Sequence, residues 1–191
     1  MKKMFFAVFA AALLVGCGTQ TAEVTDKTDW EAARIDVYVQ TPLIGVTDAV
    51  AAKYNDEHPK HTVVFHADTA DNIISAVNGG ECDIVIANDE TIAYLSEIGA
   101  VDKDSVCELI SDRYVRVMTD EEIPREDIML GSEAVYAPVT VTEELAEPAD
   151  PYSAAMTRGG ADMSGAAYSF FKYISSYKAA NVYEWYGFKL R

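Results

Sequence analysis

Between residues 35 and 98 the chain switches repeatedly between two hydrophobic periods, and that rhythm constrains its fold more than any other feature. Ile35-Asp36-Val37-Tyr38-Val39 alternates, as a half-buried strand does. Residues 43–57 carry Leu43, Val46, Val50 and Tyr54 at helical spacing, and Pro59 stops the pattern. Thr62 to His66 predicts a second strand. Residues 70–78, with Ile73, Ile74 and Val77, predict a short helix closed by Gly79-Gly80. Asp83 to Ala87 predicts a third strand, apolar enough to be central. Residues 89–98 predict a third helix with Ile92, Leu95 and Ile98 on one face and Gly99 as its stop. Such alternation specifies an α/β fold, a mainly parallel sheet flanked by helices on both faces.

After residue 100 the rhythm loosens. Tyr114 to Met118 and Ala134 to Val141 predict strands, with an acidic, irregular stretch from Asp120 to Asp127 between them. Glu143 to Pro151 is acidic, contains two prolines and reads as a loop. Tyr152 to Thr157 predicts one more strand, followed by a turn at Arg158-Gly159-Gly160. Residues 163–177 predict an amphipathic helix with Ala167, Phe170, Phe171 and Ile174 inward, and residues 179–186 a last short helix. Tyr168, Tyr173, Tyr177, Tyr183, Trp185 and Tyr186 make this end aromatic. Core packing is the expected use of such a stripe, and exposed members would mark a partner surface.

The N-terminus reads as an address. Lys2 and Lys3 precede an apolar run, Met4 to Val15, that is too short to remain across a bilayer. It ends in Leu14-Val15-Gly16-Cys17, which resembles a bacterial lipobox. That resemblance implies cleavage after residue 16 and lipid attachment at Cys17, with more than one chain anchoring the protein to the membrane. The expected organisation is a signal peptide over 1–16, a lipidated tether over 17–32 and one α/β domain over 33–191. The expected location is the extracytoplasmic side of the cell envelope. Cys82 and Cys107 would then meet an oxidising compartment. Pairing is open to them, and so is burial as free thiols in their apolar contexts.

Charge narrows the partners. With 31 acidic and 15 basic residues the net charge is −16. That excludes nucleic acid, whose phosphates need a basic face. It also argues against docking on anionic lipid by charge. No nucleophile elbow, zinc-protease motif or phosphate loop is present, and Cys107 lies far from His58, His61 and His66, so no enzyme is expected. His66, Asp68 and Asp71 carry ligand-type groups, but one histidine beside two loop aspartates reads as surface polarity. No metal and no cofactor are expected. Asp83 and Asp89 bracket a strand and read as turn caps.

Four segments together resemble the molybdate-binding class of solute-binding proteins of ABC importers. They are Ile35 to Tyr38 with the helix ending at Tyr54-Asn55-Asp56-Glu57-His58-Pro59; Val63-Val64-Phe65 with its polar loop; Gly80 to Asp89; and Ala166 to Ser176 with Tyr186-Gly187-Phe188. The resemblance implies a type II binding-protein fold, a molybdate- or tungstate-like oxyanion as ligand and an ABC permease as partner. In that family the second lobe is a large insertion, reduced here to a remnant at 119–151. The family's anion loops match Thr41-Pro42-Leu43 and Asp68-Thr69-Ala70-Asp71. The first normally ends in a serine that binds the oxyanion, where this chain has Pro42, with neither hydroxyl nor N–H. Thr41 and Thr69 are the expected hydroxyl donors, with the backbone of Leu43 and Ala70 at helix starts. Asp68 and Asp71 would repel a dianion, and each is also a candidate helix N-cap. The alternative is a degenerate single-lobe module that acts through protein–protein contact at the cell surface.

Overall fold

The structure, a computed structural model, describes residues 32–118, 126–133, 140–145, 150–159 and 165–191. Cys17 and the expected signal peptide and tether lie outside them, apart from residue 32. In β1 (Ala33–Gln40), Ile35, Val37 and Val39 are fully buried while Arg34, Asp36 and Tyr38 face the other way. A period of two turns one side of the strand into core. A 3-10 turn at Thr41–Leu43 leads into α1 (Ile44–Glu57). Its Pro42 costs little, because a first-turn N–H has no helical partner. Next come β2 (His61–Asp68), α2 (Ala70–Gly79), β3 (Ile84–Asn88) and α3 (Asp89–Glu97). Gly80 closes α2 at a φ of 73°, the left-handed conformation that glycine adopts without strain.

The remaining elements are β4 (Cys107–Ser111), β5 (Tyr114–Met118), β6 (Glu126–Met129), α4 (Leu130–Glu133), β7 (Thr140–Glu144), β8 (Pro151–Met156), α5 (Ala166–Ile174), α6 (Tyr177–Trp185) and β9 (Lys189–Leu190). Six strands form the main sheet in the order β2-β1-β3-β8-β4-β9. β1 is parallel to both β2 and β3. β8 runs antiparallel to β3 and β4, and β9 antiparallel to β4, so four of the six strands share one direction. The reversal of β8 follows from the path. The chain leaves the main sheet along β4, builds a three-stranded antiparallel sheet, β6-β5-β7, and returns along β8.

Helices cover both faces. On one, Leu43, Val50 and Tyr54 pack with Phe170, Ile174, Val182 and Tyr183 against Ile35, Val37 and Ile84. On the other, Ile73, Val77, Ile92 and Leu95 pack against Val85, Ala87 and Ala155. Cys82 belongs to the second cluster and Cys107 packs on the first, so the sheet separates them and both thiols are free. Burial raises the Cys82 thiol to about 12 and the Cys107 thiol to about 11, which leaves both unreactive. Of the terminal aromatics, Phe170, Phe171, Tyr173 and Tyr183 are buried, whereas Tyr177 is 79% and Trp185 87% exposed.

Several boundaries differ from the sequence reading. Glu126 and Asp127 are strand residues of β6 rather than irregular chain. The strand expected over Ala134 to Val141 is β7, from Thr140; residues 134–139 lie outside the described residues. Glu143 and Glu144, expected in a loop, finish β7, and Pro151 begins β8. The helix expected over 163–177 ends at Ile174, because the Ser176 hydroxyl accepts the Lys178 N–H and starts α6 instead.

Asp112 joins the two sheets. It is 1% exposed. Its Oδ1 accepts the N–H of Arg113 at 2.8 Å and of Gly131 at 2.6 Å, and its Oδ2 accepts the Ser132 N–H at 2.9 Å and hydroxyl at 2.6 Å. Its own N–H donates to the carbonyl of Asp150 at 2.9 Å, so the outgoing and returning chains are tied together. A carboxylate so deeply buried is stable only when its lone pairs are used in this way. Among the described residues no helix is long and apolar enough to cross a membrane.

Candidate functional site

The parallel strands end side by side. Gln40 is opposite Asp68 in register, and Val39 is opposite Ile86, two residues before Asn88. The Gln40 side-chain oxygen accepts the Asn88 N–H at 2.8 Å and stitches the two strand ends together. Here the order of strands reverses, with β1 leading to β2 on one side and α2 crossing to β3 on the other. Ligands of parallel sheets bind at such a switch, outside the C-terminal strand ends.

After β1, Thr41 and Pro42 are exposed, and Leu43 is fully buried in the core. α4 packs against this turn. The Gln40 side chain at its cap position makes no capping bond. After β2, Asp68 accepts the Thr69 N–H at 2.8 Å and the Asn72 side-chain amide at 2.6 Å. Those bonds, the Asn72 amide first, hold the Asp68 carboxyl below the usual carboxylate range. The cap position of α2 is Thr69, extended at φ −75° and ψ 161°, and its hydroxyl makes no capping bond. Neither Asp68 nor Asp71 is therefore the N-cap. Asp68 precedes it and braces the turn, and Asp71 lies in the first helical turn.

After β3, Asn88 caps α3 by accepting the Thr91 N–H at 3.0 Å. The starts of α2 and α3 frame a groove of about 530 Å³. Ala70, Asp71 and Ile74 line one side; Asn88, Glu90, Thr91 and Tyr94 line the other. Thr91 is 5% exposed, and its hydroxyl makes no hydrogen bond within the described chain. Neighbouring Asp89 is engaged elsewhere, accepting the Ser153 hydroxyl at 2.7 Å and both bonds of the Arg191 guanidinium at 2.9 and 2.7 Å.

The structure thus brings Ala70 and Asp71 of the expected site residues into one groove, and places Thr41, Pro42, Leu43, Asp68 and Thr69 along the same crest outside its lining. Asn88, Glu90, Thr91 and Tyr94 are additions. The strand-end reasoning applied to β1 and β2 applies equally to β3 and would have reached Asn88.

The other polar constellations are separate. His66 turns away from Asp68 and Asp71: its Nε2 lies 2.8 Å from Asp36 Oδ1 and its ring stacks on Tyr38 at 4.8 Å. Arg34 donates to both Asp36 oxygens at 2.8 and 2.7 Å, and with His66 holds the Asp36 carboxyl below its usual range. Among the described residues no group of three or more His, Cys, Asp or Glu is placed to hold a metal ion. Asp83 accepts the Asp36 N–H at 3.0 Å beside the start of β3, with the whole strand between it and Asp89.

No family model matches the chain, and no curated protein matches it in sequence. Solved structures do match in fold. A Clostridium difficile domain assigned to substrate binding by a molybdenum ABC transporter aligns with a TM-score of 0.72 at 10% identity, covering 82% of this chain and 98% of its own. The periplasmic molybdate-binding protein of Azotobacter vinelandii aligns with a TM-score of 0.64 at 12% identity, covering 82% and 99%. An ABC-type phosphate transport receptor from Vibrio cholerae aligns with a TM-score of 0.53 at 12% identity, covering 83% and 100%. The chain has the α/β fold of type II periplasmic substrate-binding domains.

Proposed function

We propose that the protein is an extracytoplasmic solute-binding component of an ABC importer, anchored to the membrane through lipid on Cys17. One observation carries the solute-binding part of this reading. Beside the C-terminal strand ends, two helix starts converge on a groove of about 530 Å³ lined by Thr91, a 5% exposed residue whose hydroxyl has no hydrogen-bond partner among the described residues. That volume is typical of small-molecule sites. The β6-β5-β7 sheet with α4, within the remnant at 119–151 and the strand before it, is the reduced second lobe in this reading.

An oxyanion such as molybdate or tungstate is the ligand that the resemblance implies. It would use the uncapped N–H groups at the start of α2 with the Thr41 and Thr69 hydroxyls. Asp68, Asp71 and Glu90 stand on the same crest and oppose a dianion there. Thermal unfolding against molybdate, tungstate, sulfate, phosphate, amino acids and polyamines tests the reading. A ligand of the folded state at about a hundred times its dissociation constant stabilises by about 2.7 kcal/mol, a shift of several degrees. No shift with any solute would contradict solute binding. The anchor has its own test: Cys17→Ser should release the protein from the membrane fraction.

The exposed Tyr177 and Trp185 favour a second reading, a module acting through protein contact at the cell surface. Capture of the importer permease from envelope extract would support transport, and capture of an unrelated partner lost in Trp185→Ala would support the second reading.

A further inference from the structure

The groove between α2 and α3 also carries a charge signature. Asp71 and Glu90 line it, and among the described residues no lysine, arginine or histidine does. Each carboxylate occupies the first turn of its helix, where the helix dipole favours negative charge. That accounts for each residue alone. It does not account for both opening on one groove beside Thr91.

Thr91 is the independent observation. The residue is 5% exposed, it lines the groove, and its hydroxyl has no partner within the described chain. The little of Thr91 that reaches solvent does so in the groove, so an occupant there can bond its hydroxyl in place of water. Its N–H is already satisfied by Asn88, so the hydroxyl remains for an occupant. Tyr94, 47% exposed, offers an aromatic face in the same lining. The other acidic groups of the crest are engaged, Asp68 by Thr69 and Asn72, Asp89 by Ser153 and Arg191. Arg191 is thereby held on Asp89 and is not part of the groove lining.

Two acceptor-only carboxylates, a hydroxyl and an aromatic face match one kind of group. A primary ammonium carries three N–H donors and no acceptor, and its charge is favoured by a ring face. We propose that the groove binds a small organic solute through a primary ammonium group, donating to Asp71, Glu90 and the Thr91 hydroxyl beside the ring of Tyr94. This rests on the solute-binding reading and names its substrate class. A solute with a carboxylate at its other end would also meet the uncapped N–H groups that open α2. The volume suits a molecule between an amino acid and a polyamine in size.

Calorimetric titration of the full-length protein in detergent tests this, with L-lysine, putrescine, spermidine, molybdate, sulfate and an uncharged sugar as probes. At least one amine should bind. Its affinity should fall about tenfold or more in Asp71→Asn and in Glu90→Gln, as expected for losing a charged hydrogen bond. Thr91→Val should weaken it as well, and Lys53→Ala, far from the groove, should not. Circular dichroism confirms that each variant is folded. An amine that binds equally well to Asp71→Asn and Glu90→Gln overturns the ammonium assignment. Binding of an oxyanion or the sugar alone, lost in Thr91→Val, overturns the assignment and leaves solute binding standing. No binding of any probe overturns both.

Discussion

The chain leaves β1 one way and leaves β2 and β3 another. After β1 it enters a 3-10 turn with Pro42 at its start and Leu43 sealed in the core, against which α4 packs. After β2 and β3 it starts helices directly, one without a side-chain cap and one capped by Asn88, with a groove between them. Both places satisfy the general rule for ligand sites in parallel sheets. The difference lies in the groups on offer. The β1 turn gives up an N–H to proline and a side chain to the core, while the α2–α3 groove keeps N–H groups, carboxylates and a hydroxyl facing open space. Topology nominates the crest, and local chemistry chooses the position along it.

The comparison breaks most severely at Asp112, which fixes the α4 segment that packs on the β1 turn. Asp112→Ala leaves the buried N–H of Gly131 and the part-buried N–H of Ser132 without an acceptor. Urea unfolding should show a loss of about 3 kcal/mol or more. Gly131→Ala comes next. A Cβ there would lie 2.6 Å from the Phe188 ring, so a substitution that usually favours helix should cost about 1–3 kcal/mol by overpacking. Asn88→Ala addresses the other side of the comparison. Loss of the cap on Thr91 should cost about 1 kcal/mol and disorder the groove, lowering affinity for any groove ligand.

Smaller effects sharpen the contrast. Pro42→Ser restores a hydroxyl and an N–H at an exposed position. Stability should change by no more than about 0.5 kcal/mol, and calorimetry should detect no gain in molybdate affinity over the unmodified protein, because Asp68, Asp71 and Glu90 are unchanged. Asp68→Asn should have the smallest effect. The hydrogen bonds from the Asn72 amide and the Thr69 N–H hold the folded-state pKa of Asp68 below its ordinary value. Its contribution is therefore present above that value and is lost as pH falls through the folded pKa. The variant should unfold with a slightly flatter acid limb and an unchanged melting temperature at neutral pH.

The two regions also differ in how much of them the sequence carries. β1, α1, α2 and α3 are legible because each packs one face inward at a steady period, β2 because it is a short β-branched run, and β3 because a continuous apolar run marks a strand buried on both faces. β4 is not. A register shift between Glu108 and Ile110 turns Leu109 and Ile110 both inward, so the strand shows no alternation. The antiparallel course of β8 is a consequence of where the small sheet sits, which no local pattern encodes. Within the site, Ala70 and Asp71 follow from the strand-end rule. Thr91 does not, since inside α3 it reads as one more face residue. Its meaning depends on α2 lying across from it, a contact between helices separated by a strand. Asp112 is hidden for the same reason, because its partners are about twenty residues away, in α4.

The central claim is that the solute seat is the α2–α3 groove and not the turn after β1. Backbone amide NMR of the isotope-labelled full-length protein, titrated in turn with L-lysine, spermidine and molybdate, tests it residue by residue. The account predicts that an amine shifts the signals of Ala70, Asp71, Asn88, Thr91 and Tyr94 and leaves those of Thr41 and Leu43 in place. Shifts centred on Thr41 and Leu43, with the groove silent, would contradict it.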